Sequence, residues 1–273
     1  MRATVIQMNS RTDKAANLAE ARRLCSEAVK ADKPDLVVFP EMMAFLGGSV
    51  KDRQASAERI PGGETFETLR ALAVEHGIAV HGGSFYESTE DSELIYNTTV
   101  AFDPSGNLIA KYRKIHLFDI TAPDGVEYKE SAVVGRGSEI STFDLGGVRV
   151  GCSICYDIRF GELYRMLAER GADAIVVPAA FTLQTGKDHW ETLLRARAIE
   201  TQTYIVAAGQ WGSYPTPDGM RSNWGHSMIV DPWGHVVAQV SDTTGFASAF
   251  IDSEYISKVR SSVPVHRHRV LKG

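Results

Sequence analysis

The chain has 273 residues, 44% of them hydrophobic, with a formal net charge of -5 and a pI near 5.9. That content can fill a substantial core, and the acidic balance, with no Lys/Arg cluster interleaved with aromatics, excludes a surface built to hold a phosphate backbone, so nucleic acid is not an expected partner. The opening segment "MRATVIQMNSRTDK" has an apolar run too short for a signal-peptide core and no stretch reaches bilayer-spanning length, so a soluble cytoplasmic protein with no membrane partner is expected.

Short β-branched runs recur along the chain, beginning with "ATVIQM". A helix follows over 15–31, "AANLAEARRLCSEAVKA", with Asp13 placed as its N-cap, and then the strand "DLVVFP". A second helix is predicted over 64–77, and then the strand "GIAVHGGSF". Strands 95–102 and 108–112 read as a hairpin across "DPSGN". After "VRVGCSI" come a helix over 161–171, the strand "DAIVVPAA", a helix over 187–202 and the strand "TYIVAAG"; 226–231 and 236–240 form a second hairpin across "PWG", and "FASAFID" is a final strand. Four helices cannot separate ten strands one by one, so a mixed sheet arrangement is expected. The segments "EAVKADKPDLVVFPEM" and "LAERGADAIVVPAAF" echo each other, each running helix, turn, aspartate, apolar strand, proline. The echo predicts two sheets with helices on one face each, packed face to face. No linker or composition shift marks a boundary, so residues 1–273 read as one domain.

An odd count of three cysteines in a chain of this length is not a disulfide framework, so each thiol needs its own account. Cys25 shares a helix face with Leu18, Ala21 and Val29 and reads as a small core residue. Cys152 points with Val148 and Val150 to one side of its strand, and Cys155 projects to the other side at the strand's end. That geometry disfavours a redox pair, and the missing second C-x-x-C leaves "HRH" at 266–268 without partners for zinc, so no metal is expected. Taken alone, Cys155 is more often structural than catalytic. Its place before a helix changes the weighting, because unpaired N–H groups there are expected to lower a thiol pKa and can hold an oxyanion. A nucleophilic cysteine also needs a proton acceptor. Glu41, after "DLVVFP", and Lys114, after "IAKYR", stand at two other strand ends, although each on its own reads as an ordinary surface charge.

Together these positions resemble the nitrilase, or carbon–nitrogen hydrolase, superfamily: "FPEM" is similar to its glutamate motif, "YRKIHL" to its lysine motif and "GCSICYDIRFGELYR" to its cysteine motif, in the family's order. The resemblance runs from "ATVIQM" to "VPVHRHRV" and implies an α/β fold, a four-layer α-β-β-α sandwich. It assigns Glu41 as general base, Lys114 as the cation that stabilises the tetrahedral intermediate, Cys155 as nucleophile and the backbone N–H of Tyr156 as an oxyanion donor. Glu130, preferred over Glu127, would be the second carboxylate that positions Lys114 or the substrate. Two departures stand out: "GRG" where a proline-glycine ending is usual, and Gly161 where many relatives have proline. Phe181 and Thr182, after the strand 174–178, are candidate substrate contacts, and Arg159 and Arg197 are candidate carboxylate partners.

Within the superfamily, "RARAIETQ" and "GHSM" look most like the Nit branch, which includes deaminated-glutathione amidase and ω-amidase. This implies hydrolysis of the C–N bond of a small, carboxylate-bearing amide to acid and ammonia through a thioester, with no cofactor. N-carbamoyl amino acid hydrolysis and nitrile hydrolysis would use the same three residues. A scaffold protein on this fold would be expected to lack one of them, and a Cys–His hydrolase on another fold would use His116 or His226 as base. The resemblance also implies a homodimer or larger homo-oligomer, with the helix after the nucleophile and the segment at about 252–273 as contact regions.

Overall fold

The computed structural model describes residues 1–90, 92–122 and 125–271. Its first half runs β1 (Arg2–Gln7), α1 (Lys14–Asp32), β2 (Leu36–Val38), α2 (Val50–Ser56), α3 (Glu64–His76), β3 (Ala79–His81), β4 (Phe85–Thr89), β5 (Ser92–Phe102), β6 (Leu108–Arg113), β7 (Asp119–Thr121), β8 (Glu127–Lys129) and β9 (Val134–Gly135). The second half runs β10 (Thr142–Leu145), β11 (Val148–Cys152), α4 (Gly161–Glu169), β12 (Ala174–Val176), α5 (Leu183–Thr201), β13 (Tyr204–Ala207), β14 (Trp211–Thr216), β15 (Gly219–Trp224), β16 (Met228–Val230) and β17 (Val236–Gln239). The chain closes with β18 (Gly245–Phe250), α6 (Ser253–Ser262) and α7 (Val265–His268).

The first sheet has the order β18-β1-β2-β3-β5-β4, with β6 and β9 also paired to β5; the second has the order β10-β11-β12-β13-β16-β17. Strands β1 to β3 are mutually parallel, as are β11 to β13, and antiparallel strands flank both sets. The two-residue strand period sorts side chains between layers. Ala3, Val5, Leu36 and Val38 face across to Val150, Cys152, Ala174 and Val176 of the second sheet, whereas Ile6, Val37 and Val80 pack beneath Leu18, Leu24, Leu69 and Leu72 of α1 and α3. With α4 and α5 covering the second sheet, the expected four-layer sandwich results.

The sequence echo has a structural counterpart. In both halves a strand, a helix and a parallel strand follow in turn, and the aspartate before the second strand clasps the first. Asp35 donates its N–H to Arg2 O at 2.9 Å while its carboxylate accepts from Arg2 N at 2.7 Å; Asp173 does the same with Arg149 at 2.8 and 3.3 Å.

Helix α1 starts under the predicted cap, with Asp13 Oδ1 accepting from Ala16 N at 3.0 Å. Helix α5 begins at Leu183, four residues earlier than the sequence pattern indicates, despite an internal glycine. The reason is packing: a Cβ on Gly186 would lie 2.2 Å from the Cβ of Trp224, so only glycine lets β15 lie this close.

Candidate active site

Three chain segments meet at the C-terminal ends of β2, β6 and β11, on the side where open α/β sheets place their sites. Glu41 follows β2 by three residues. Its loop is fixed from behind by Gly83, where a Cβ would fall 2.0 Å from Pro40 O and where the backbone is already left-handed at φ +59°. Lys114 immediately follows β6, with its N–H donating to Asn97 O at 2.9 Å and its carbonyl accepting from Gly137 N at 2.8 Å. The unusual "GRG" therefore still closes onto the lysine strand. Cys155 lies three residues past β11 and opens a short 3-10 turn, Cys155–Arg159, with φ 47°. A left-handed conformation at a non-glycine residue costs roughly 1–2 kcal/mol and is held there by its surroundings.

Those surroundings centre on Asp157, which is fully buried and accepts four hydrogen bonds: Ile154 N at 2.8 Å, His116 N at 3.0 Å, the Tyr112 hydroxyl at 2.7 Å and His116 Nδ1 at 2.7 Å. One carboxylate thus ties the thiol's turn to the lysine segment. His116 is fully engaged, its ring stacked on Phe160 at 3.7 Å, and His226 stacks on Trp224 at 4.1 Å. Neither histidine lines the cavity that holds Cys155, so a Cys–His pair is not assembled.

Glu41, Lys114 and Cys155 line one cavity of about 320 Å³, together with Glu130, Tyr156, Phe181 and Thr182. Lys114 Nζ donates to Glu130 Oε2 at 2.8 Å and to Glu41 Oε1 at 3.1 Å. Ala180 N donates to Glu41 Oε2 at 2.8 Å, and both groups adjoin the Cys155 sulfur. Burial opposes a charge on Lys114, but Glu130 and Glu41 outweigh it and hold its pKa well above the ordinary lysine range. For Cys155, burial and then the Glu41 carboxylate push the thiol well above its usual pKa, against the pull of Lys114. This corrects the expectation of a depressed pKa from the helix end: the turn is short, and desolvation wins. The resting group is a thiol that must lose its proton during attack.

The N–H of Tyr156, one residue past the sulfur, donates to no group among the described residues. Arg159 does not line the cavity. It lies behind the wall, over the rings of Phe181 and Tyr156 at 5.5 and 5.9 Å, with its Nη2 3.3 Å from His189 Nδ1. Arg197 is likewise committed elsewhere, donating to Ile158 O at 2.7 Å and pairing with Glu200 at 2.8 Å.

Sequence reasoning missed Asn97, which is fully buried and donates its amide to Glu41 Oε1 at 2.8 Å and Glu130 Oε1 at 3.3 Å. Its signal was a lone amide in the β-branched run "YNTTV", one hairpin away from the lysine. Also missed were Asp157 and the ribbon β14–β15, whose Tyr214 and Arg221 form part of the cavity wall.

A buried carboxylate–lysine–carboxylate array beside a thiol, on a four-layer sandwich, is the arrangement that the resemblance to the carbon–nitrogen hydrolases implies. Residues 2–261 match the Carbon-nitrogen hydrolase family, and the chain belongs to that family. It is 40% identical over 272 residues to a deaminated glutathione amidase of Synechocystis sp., covering 98% of this chain and 97% of that one. It is also 40% identical over 270 residues to an omega-amidase of Xenopus tropicalis, covering 98% and 94%. Among solved structures, the C. elegans NitFhit protein superposes with a TM-score of 0.89 at 39% identity over 98% of this chain; this chain spans 64% of that longer one.

Proposed function

We propose that this protein is a cysteine-dependent amidase that hydrolyses a small, carboxylate-bearing amide to the acid and ammonia. The observation that carries the reading is the convergence of Glu41, Lys114 and Cys155 in one cavity, where burial and the Glu41 carboxylate hold the thiol above its usual pKa. Glu41 takes the Cys155 proton as sulfur attacks the amide carbon. The carbonyl π electrons move to oxygen, and that oxyanion is met by the Lys114 ammonium and the Tyr156 N–H. Glu41 then passes the proton to the departing nitrogen, the C–N bond breaks, and ammonia leaves a thioester on Cys155. Water, deprotonated by Glu41, attacks the thioester; the C–S bond breaks, sulfur recovers the proton and the acid departs. Glu130 and Asn97 hold Lys114 and Glu41 in position throughout. The names of the relatives set the substrate range to test first, deaminated glutathione and ω-amides. Phe181 and Thr182 form the adjoining wall.

The reading takes residues 1–273 as one catalytic domain acting in the cytoplasm, in keeping with three free thiols and no described helix long and apolar enough to cross a membrane. It also includes a homo-oligomer formed through α4 and the segment 252–273, of which residues 272 and 273 lie outside the described residues. Exposed Met166, Val263, Val270 and Leu271 support this assembly.

The test is ammonia release from deaminated glutathione, α-ketoglutaramate, aliphatic amides, an N-carbamoyl amino acid and a nitrile, with Cys155→Ala as control. Cys155-dependent release from the amides is expected. Activity confined to the carbamoyl compound or the nitrile would replace the amide reading, and release that persists in Cys155→Ala protein shown to be folded would remove the nucleophile assignment.

A further inference from the structure

The cavity that holds Cys155 does not end at its own walls. It adjoins a second cavity of about 600 Å³, and the two share Leu46, Arg53, Tyr86, Tyr128, Tyr214, Asp218 and Arg221 as their common boundary. Two guanidinium groups from separate elements, Arg53 of α2 and Arg221 of β15, therefore stand at the junction.

Their partners differ from those of the molecule's other arginines near the active site. Arg53 Nε is shielded from solvent and has no hydrogen-bond acceptor, and no carboxylate among the described residues forms an ion pair with Arg53. Its neighbour is the Tyr86 hydroxyl. A buried guanidinium nitrogen without an acceptor carries a desolvation cost that an incoming anion can relieve. Arg221 lies over the Tyr128 ring at 4.6 Å, and its carboxylate partner, Asp218 at 3.6 Å, has a side chain 82% exposed, so that pairing is weak and solvent-screened.

The reactive end has the opposite character. Glu41 and Glu130 flank a single Lys114, so with Cys155 as a thiol the inner cluster has an excess of negative charge. A substrate bearing a carboxylate is repelled from the inner end and attracted to the junction, which turns its amide toward sulfur. Arg159 and Arg197, the arginines nearest the nucleophile in sequence, are occupied elsewhere and play no part in this polarity.

We infer that Arg53, assisted by Arg221, is the subsite that holds the substrate's carboxylate in this enzyme. The inference rests on the amidase reading, and it makes α2, which buries no residue in the core, a specificity element. Arg offers a fixed, planar pair of donors that a carboxylate can engage with both oxygens.

The test compares succinamate with butyramide, amides of similar size that differ in having an anionic or an apolar end. In Arg53→Gln the ratio of kcat/KM for succinamate to that for butyramide should fall roughly 10- to 100-fold, carried by KM for succinamate, as expected for loss of a charge-assisted contact. Arg53→Lys should restore part of the ratio, and Arg221→Gln should lower it less. An unchanged ratio in Arg53→Gln overturns the subsite. Calorimetric binding of succinamate to Cys155→Ala protein, with and without Arg53→Gln, separates the two readings. Arg53-dependent binding by protein whose parent releases no ammonia retains the subsite and removes the amidase; binding indifferent to Arg53 removes the subsite whatever the parent hydrolyses.

Discussion

Asp157 gives the sharpest test of how the fold presents its thiol. Its Oδ1 accepts from both His116 donors and its Oδ2 from Tyr112 and Ile154. In Asp157→Asn, an amide with its oxygen on the His116 side keeps those two bonds. Its NH₂ then points at the Tyr112 hydroxyl, which can turn and accept, and at the Ile154 N–H, which cannot. One buried N–H, on the residue preceding Cys155, is left facing a donor, at a cost of about 2 kcal/mol. For a chain of this length that corresponds to a fall in the melting midpoint of roughly 4–8 °C. Asp157→Ala strands every one of these donors and should cost more, about 3–5 kcal/mol. Because Ile154 leads directly into the strained Cys155, the Asn variant should also lose roughly 100-fold in kcat, the scale of a misplacement near 1 Å. Thermal unfolding followed by circular dichroism, paired with ammonia release below the midpoint, measures both. An unchanged midpoint would show that the carboxylate does not brace the turn, and a lowered midpoint with full turnover would show that the turn does not position sulfur.

The raised thiol pKa predicts slow alkylation. Iodoacetamide should react with Cys155 about tenfold faster for each pH unit between 7 and 9, with no plateau, because the thiolate fraction is still small there; Cys25 and Cys152, both buried and pushed up to about 12, should not compete. Glu41→Gln removes the carboxylate that helps hold the proton and should speed alkylation at pH 8 while blocking turnover. A plateau below pH 8 would overturn both expectations. The same shift fixes the sign of a stability effect. The folded pKa lies above the unfolded one, near 8.5, so the Cys155 contribution to native stability should be constant below that value and be lost above it, making the alkaline fall less steep in Cys155→Ala. For the assembly, light scattering should give at least twice the chain's 29.9 kDa, and Met166→Glu together with Leu271→Glu should reduce it to the monomer; a monomeric parent would refute the assembly.

Elements with a strong apolar period were readable in advance. Helices α1, α3 and α4 and the strands around "DLVVFP" and "DAIVVP" bury one stripe or both faces, and burial leaves a repeating mark in the sequence. The elements that passed unseen lack that mark. Helix α2 is held by a Ser49–Asp52 capping box and buries nothing, and the ribbon β14–β15 carries Pro215 and a polar outer face. The site was legible only in part for the same reason. Glu41, Lys114 and Cys155 sit in recognisable motifs at strand ends, whereas Asn97, Asp157 and Arg53 act through three-dimensional neighbours far away in the chain. The thiol's pKa differs from that expectation because local position suggested a helix end, while burial in the core and the Glu41 charge from the other sheet decide it.

That division between sheets has a further consequence. Glu41 and Lys114 hang from the first sheet and Cys155 from the second, and between the central strands a continuous layer of apolar side chains packs the two together. The acid–base half and the nucleophilic half of the reaction therefore come into register through that greasy seam, with the bonds of Asp157 and Ala180 N fixing the last contact at the site. Turnover becomes a gauge of how the layers are seated. Any overpacking at Val5, Val38 or Val150 that slides one sheet over the other will silence the chemistry while leaving each half, with its hydrogen bonds and its secondary structure, intact.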